Sequence, residues 1–302
     1  MIPNNQFITI QTNQQLIELF ISELIINPRI DIQKWATLTK QSSALKIGYI
    51  AQYLASLITG VKGSKSAARG DDLEDGTEIK GCNRIDQLDT CGTCGGKVSR
   101  YEIICNQCGG VNIIRKDDSK WLIPVRSEEE LDLCINKIDR FIFIIMEYPQ
   151  FEQNNFDKIR IRAFEIWPKY SANFRYLLED YYFNIYLEHI RKNPSKTPAP
   201  KNFWPYSFQF YKCKPRKIYE CVIDNWNSSR PIIHTTHFVS PHADRSLVSP
   251  ESMPNNILQK NERDIIVENY KIIPDAIPSD WLDYIPMRES KPISHDKKYK
   301  RR

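Results

Sequence analysis

Apolar positions recur every three to four residues in the first sixty residues of the chain: Leu16, Ile17, Phe20 and Leu24, then Ile47, Ile50, Ala51, Leu54 and Ile58. That spacing predicts two helices with one apolar face each. Thr12-Asn-Gln-Gln15 has the form of a capping box before the first, Asn27-Pro28 predicts its end, and Gly60 predicts the end of the second. Beyond residue 120 the period changes. Lys120 to Val125, with Pro124, reads as an edge or end strand, and Ser127-Glu-Glu-Glu130 as a helix start. Phe141-Ile-Phe-Ile-Ile-Met146 is apolar throughout and predicts a strand buried on both faces, whereas Ile159, Ile161 and Ala163 alternate with Arg160 and Arg162 as in a half-buried strand. Phe174, Leu177, Leu178, Tyr181 and Ile185 share one helix face, and Phe208–Cys213 with Lys217–Ile223 predicts a hairpin around Pro215. From about Asn225 the chain is rich in Pro, Ser and Asn, with one helical candidate near Glu262 to Tyr270. The order of elements predicts an α/β core with a mixed sheet. We expect a helical region over 1–60, the core over 61–225 and an irregular C-terminal region over 226–302.

With 302 residues, 41% hydrophobic and 26% charged, the chain can bury a sizeable core. Its longest apolar run, Phe141 to Met146, is far too short to span a bilayer, so no membrane partner is expected. Lys291 to Arg302 holds six Lys/Arg against one Asp, which accounts for the whole net charge of +5. Such a tail reads either as a solvated end or as a nucleic-acid contact. Met1-Ile-Pro-Asn-Asn-Gln has neither the basic nor the apolar part of a secretory leader, and the expected location is cytoplasmic.

Eight cysteines change the picture. Four stand as Cys91-Gly-Thr-Cys94-Gly-Gly and Cys105-Asn-Gln-Cys108-Gly-Gly. Two residues between cysteines let one tight turn aim both sulfurs at one ion, and zinc takes four thiolates in a tetrahedron. The glycine pairs suit turns with positive φ and backbone N–H groups close to sulfur. We therefore expect a structural Zn²⁺ on Cys91, Cys94, Cys105 and Cys108, in a ribbon over 88–111 inserted in the core. Disulfides and redox thiols suit the setting and the paired spacing less well. Cys82, Cys134, Cys213 and Cys221 are left over; Cys82 and Cys134 read as small packing residues.

Just upstream lies Asp71-Asp72-Leu-Glu-Asp-Gly-Thr-Glu78-Ile-Lys80. In a strand Glu78 and Lys80 point to one face while Ile79 enters the core. Asp75-Gly76 has the form of a two-residue hairpin turn. In that register Asp71 faces Lys80 and converges with Glu78, and Asp72 shares the face of Ile79; a bulge or a three-residue loop would exchange the two. Two carboxylates and a lysine suit metal-assisted phosphodiester hydrolysis, although a solvated charged hairpin has the same composition. Weaker candidates are Asp118-Ser-Lys120 and the histidines His234, His237 and His242. Lys62, Lys65 and Arg69 lie in a small-residue loop, and Asn83-Arg84-Ile-Asp86 follows the acidic segment. Lys65, Arg69, Asn83, Arg84 and Lys120 are candidate DNA contacts, as are Lys212, Lys214, Arg216 and Lys217 for phosphates.

Asp71…Glu78-Ile79-Lys80 resembles the PD-(D/E)xK nuclease superfamily. The stretch from Gly70 to Asp86, the cysteine pairs and Arg115-Lys-Asp-Asp-Ser-Lys-Trp121 resemble type II restriction endonucleases of the MamI kind. The likeness covers about residues 65 to 126. It implies an α/β restriction-endonuclease-like core with a mixed sheet, N-terminal helices and an inserted zinc ribbon. It implies Mg²⁺-dependent cleavage of double-stranded DNA at a short symmetric site by a homodimer, within a restriction–modification system that includes a cognate DNA methyltransferase. By that likeness Asp71 and Glu78 would hold Mg²⁺ and Lys80 would be the catalytic lysine. Arg69-Gly70 stands where the family has a proline, which leaves Asp72 as the alternative to Asp71. Two rival readings are a non-enzymatic zinc-ribbon DNA-binding protein and a structure-specific repair or mobile-element nuclease of the same superfamily.

Overall fold

The computed structural model describes residues 1–64 and 72–288. Lys65, Arg69, Asp71 and the basic tail lie outside the described residues. In chain order the helices α1 (Gln14–Ile21), α2 (Asn27–Thr39) and α3 (Gly48–Thr59) come first. Strand β1 (Thr77–Asn83) follows, then the short strands β2 (Asp89–Cys91), β3 (Lys97–Val98) and β4 (Ile113–Ile114) of the ribbon. Next come β5 (Trp121–Ile123), α4 (Glu128–Asp132), β6 (Arg140–Glu147), β7 (Lys158–Ile166), α5 (Ala172–Asp180) and α6 (Leu187–Lys192). The chain continues through β8 (Lys201–Phe203), α7 (Phe208–Lys212), β9 (Arg216–Asp224), β10 (Ile232–Phe238) and α8 (Lys260–Tyr270).

The main sheet has the order β1-β6-β7-β9-β10. β1 and β6 are parallel and the other neighbours antiparallel. A parallel pair needs a crossover, and here it contains the ribbon, β5 and α4. Every residue of β6 is buried. Phe141, Phe143 and Ile145 enter a core with Trp121, Phe174 and Phe203, while Ile142, Ile144 and Met146 enter a second core with α1 and α3 on the other face. Each fully buried aliphatic or aromatic side chain contributes roughly 1.5–3 kcal/mol, so the doubly covered strand anchors β1 beside it. The α/β architecture, the N-terminal helices and the inserted ribbon are as expected.

Several local expectations are corrected. Asn13, one residue later than expected, caps α1 by accepting from Leu16 N–H at 2.8 Å. Asn27-Pro28 does not end the helical run: a wider turn over Ser22–Ile26 precedes Pro28, which stands in the first turn of α2. That position needs no intrahelical N–H, so proline is tolerated there. Arg162 is buried, because β7 is a central strand covered on both faces. Phe208–Lys212 is a helix and not a hairpin arm: Ser207 Oγ accepts from Phe210 N–H at 3.2 Å, and Lys214 at φ 55° turns the chain into β9. After residue 225 the chain is less irregular than expected. β10 completes the sheet, and Met253, Leu258, Ile266, Ile277, Leu282 and Ile285 enter the core with Phe210.

Candidate functional site

The ribbon is built from two matching knuckles. Gly95 N–H donates to Cys91 C=O at 2.9 Å, and Gly109 N–H to Cys105 C=O at 2.8 Å. Gly95 and Gly109 take φ of 74° and 71°, the left-handed region that costs other residues energy. Cys91 Sγ lies 3.7 Å from Cys108 Sγ, and Cys94 Sγ 3.7 Å from Cys105 Sγ. A Zn–S tetrahedron of 2.3 Å edges from metal to sulfur places its sulfurs about 3.8 Å apart. The quartet therefore fits the ion in number, element and spacing. Among the described residues it is the one set of three or more Cys, His, Asp or Glu whose ligand atoms converge, all within 4.8 Å of one another. Backbone N–H groups of Cys94 and Thr93 lower the Cys91 thiol to about 6, whereas Cys108, despite the Gly110 N–H, is pushed up to about 12 by the neighbouring sulfurs of Cys94 and Cys91, so the four close-packed thiols do not ionise alike.

The acidic segment closes differently from the two-residue turn. Gly76 N–H donates to Leu73 C=O at 3.1 Å, and Leu73 N–H to Thr77 C=O at 3.2 Å. Three residues, Glu74-Asp75-Gly76, therefore separate the paired Leu73 and Thr77, with Gly76 at φ 77°. This is a type I turn with a glycine bulge. The pairing shifts by one residue, so Asp72, and not Leu73, stands opposite Glu78. Asp72 Oδ2 accepts from Ile79 N–H at 2.7 Å and Oδ1 from Gln52 Nε2 at 2.7 Å, which holds its carboxylate at the edge of β1.

A long-range partner explains the turn. Arg140 donates from Nη2 to Asp75 at 2.6 Å, from Nε to Thr77 Oγ1 at 2.7 Å and from Nη1 to Glu165 at 2.8 Å. Arg245 Nε and Trp167 Nε1 occupy the other Glu165 oxygen at 3.1 and 3.0 Å. Burial would raise the Glu165 carboxyl, but Arg140 and Arg245 hold it below the usual carboxylate range. Asp75 thus belongs to a buried ionic network, which the local sequence did not reveal.

On β1, Glu78 is only 5% exposed and ion-paired with Lys80. Both line a small recess with Ile123, Pro124, Leu133, Phe141 and Glu130. In the sequence Glu130 has the form of a helix-start residue only. It does serve there, since its N–H donates to Ser127 Oγ at 3.2 Å and its carboxylate accepts from Arg126 N–H at 2.7 Å, but α4 also brings it to the Glu78–Lys80 recess. A hard cation suits carboxylates of this kind, since Glu78 already carries one cation, Lys80.

The other candidates scatter. Asn83 donates to Leu45 C=O at 3.0 Å and to Asp86 at 2.6 Å. Arg84 is ion-paired with Asp117, and Lys120 Nζ sits 4.4 Å from the centre of the Trp204 ring. Lys212 is buried and donates to Leu282 and Ile285 carbonyls at 2.7 and 2.8 Å, so it is no phosphate contact. His234 lies 3.7 Å from Asp224, His237 2.9 Å from Lys217 C=O, and His242 3.0 Å from Asn5, three separate places. Cys82 packs in the core, where burial pushes its thiol up to about 12. No helix among the described residues is long and apolar enough to cross a membrane.

Comparison with known proteins bears on this geometry. A family model described as the MamI restriction endonuclease matches residues 34–256, which includes β1, the ribbon and the main sheet. The type II restriction enzyme MamI of Microbacterium ammoniaphilum is 39% identical over 74 residues, 24% of this chain and 24% of that relative. The matched stretch thus spans about a quarter of the curated relative's length. No solved structure matches the chain.

Proposed function

The chain belongs to the MamI restriction endonuclease family, and on that premise we propose that it is a type II site-specific deoxyribonuclease, cutting double-stranded DNA at a short symmetric sequence. The observation that carries this reading is the juxtaposition on β1: Glu78 and Lys80 on one face, paired with each other, with the Asp72 carboxylate at the same strand's edge. Glu78 and Asp72 would hold Mg²⁺, with Asp71, outside the described residues, as the alternative to Asp72. Bound Mg²⁺ supplies polarisation of the phosphate and a more acidic water. The chain's own contributions are positional and electrostatic. Glu78 is desolvated by the apolar recess, which strengthens its hold on any cation. The Lys80 ammonium, on the same face as Glu78, would stand against the negative charge that develops on the phosphate oxygens. Asp72 is fixed by Ile79 N–H and Gln52, so it needs little reordering on binding.

Cys91, Cys94, Cys105 and Cys108 would hold a structural Zn²⁺, which keeps the crossover between β1 and β6 folded. A symmetric duplex cut needs two such sites related by a two-fold axis, so the active species would be a homodimer. Such an enzyme works beside a methyltransferase that protects the host sequence, in the cytoplasm where that DNA lies. The test is incubation of the purified protein with plasmid DNA and Mg²⁺, with and without a chelator. Discrete, chelator-sensitive fragments support the reading; intact plasmid, or smears at every sequence, would count against it.

A further inference from the structure

At the far end of the same sheet face lies a second polar site. Glu147, the last residue of β6, is 4% exposed. Its Oε1 accepts from Arg160 Nε and Arg162 Nη2, each at 3.0 Å, and from the Tyr206 hydroxyl, while Arg84 Nη1 stands 3.5 Å from Oε2. Burial would raise this carboxyl, but Arg162, Arg160 and Arg84 hold it below the usual range. These groups line a cleft of about 400 Å³, together with Trp204 and Glu251. Two observations mark the cleft as more than a structural ion network. Arg162 is 5% exposed, yet its Nε finds no hydrogen-bond partner among the described residues. Tyr206 adopts φ 57°, a strained conformation for an aromatic residue, with the Arg162 and Arg84 guanidinium groups 4.8 and 5.5 Å from its ring. Strain of this kind persists where the surroundings impose it and gathers at functional sites.

The charge balance selects the ligand. Three arginines face four carboxylates, Asp117, Glu147, Glu152 and Glu251. A phosphate would meet as much repulsion as attraction here, so the cleft does not suit the DNA backbone. It offers donors, acceptors and the aromatic surfaces of Trp204 and Tyr206, the requirements of a flat, uncharged heterocycle with hydrogen-bonding edges. A duplex is too wide to enter. Arg84 is four residues beyond Lys80, about 13 Å along an extended strand, so the cleft lies within a few nucleotides of a phosphate placed at Glu78 and Lys80.

We propose that the Glu147–Arg162–Tyr206 cleft receives a single nucleobase of the bound DNA, turned out of the duplex. The proposal rests on the DNA-cutting reading above. The test uses the full-length Glu78→Ala protein and a duplex bearing the cleavage sequence, read from the ends of the wild-type protein's plasmid fragments. In each duplex one base keeps its identity while its partner is replaced by an abasic site. Unpairing then costs less, and an extruded base binds more tightly. At one position we expect binding about tenfold or more tighter than to the intact duplex, with that gain lost in Trp204→Ala and in Tyr206→Phe. Neutral or weaker binding at every position, or a gain that both variants retain, overturns the proposal while plasmid cutting by the wild type still stands. If the wild type neither cuts plasmid nor binds duplex, the nuclease reading fails and this proposal falls with it. Tyr206→Phe removes one hydroxyl, so the comparison survives if Trp204→Ala does not fold.

Discussion

The zinc ribbon and the acidic turn are neighbours in the chain, and they are held by opposite means. The ribbon's geometry comes from residues within one short stretch: two knuckles, each closed by a glycine in the left-handed region and each aiming two sulfurs at one point. The turn before Glu78 depends on Arg140, 65 residues from Asp75, and through Glu165 on Arg245. The knuckles close within themselves, and the ribbon meets the second core through Tyr101, whose ring lies 5.4 Å from that of Trp226. The turn cannot be moved without disturbing the ion network that joins β1, β6 and β7.

That contrast can be broken most forcefully at the ribbon. A Cys94→Ser/Cys108→Ser double variant should lose its zinc, from about one per chain to none by elemental analysis. For small zinc domains the metal's binding free energy of about 10–16 kcal/mol is folding free energy, so the ribbon should become protease-sensitive while the circular dichroism of the sheet persists. Full zinc retention would refute the ligand set.

Arg140→Ala should act in the opposite way, on the whole fold. It leaves the Asp75 carboxylate without its guanidinium and Glu165 with Arg245 as its remaining cation, a loss of roughly 3 kcal/mol, read by chemical denaturation. A loss below about 1 kcal/mol would mean that the network does not hold the turn.

That network and the Glu147 cleft together make an acid-sensitivity prediction. Glu165 and Glu147 have carboxyls held below their ordinary 4.5 by neighbouring arginines. Their contribution is therefore present above that value and is lost as pH falls through the lower, folded-state value. Denaturation midpoints should be steady from neutral pH down to about 5 and fall steeply below about 4. A stability that rises on acidification would contradict the sign.

Gly76→Ala should have the smallest effect, about 1–2 kcal/mol, because the alanine must adopt the left-handed φ of the bulge. It should also lower cleavage by shifting Asp72 against Glu78. An unchanged midpoint would point to a turn with negative φ at this position.

The comparison also explains which features were legible in the sequence. The cysteine spacing, the fully apolar β6 and the apolar face of α3 ending at Gly60 each carry their information in neighbouring residues. The hairpin register did not, since a two-residue and a three-residue loop share the residues Asp75-Gly76, and the choice between them rests with Arg140. Glu147 and the arginines around it come from the end of β1, from β6 and from β7, and no local pattern joins them. Phe208–Lys212 alternates well enough for a strand, but the Ser207 cap and burial on nearly all sides make it a helix.

The most direct measurement is plasmid cleavage by Glu78→Ala and Lys80→Ala beside the wild type in Mg²⁺, with duplex binding measured in parallel. The account predicts that both variants lose cutting by several orders of magnitude, while duplex affinity stays the same or rises in Glu78→Ala, since removing that carboxylate removes repulsion against phosphate, and stays within a few-fold of wild type in Lys80→Ala. Cutting within a few-fold of wild type in either variant would place the chemistry elsewhere and contradict it.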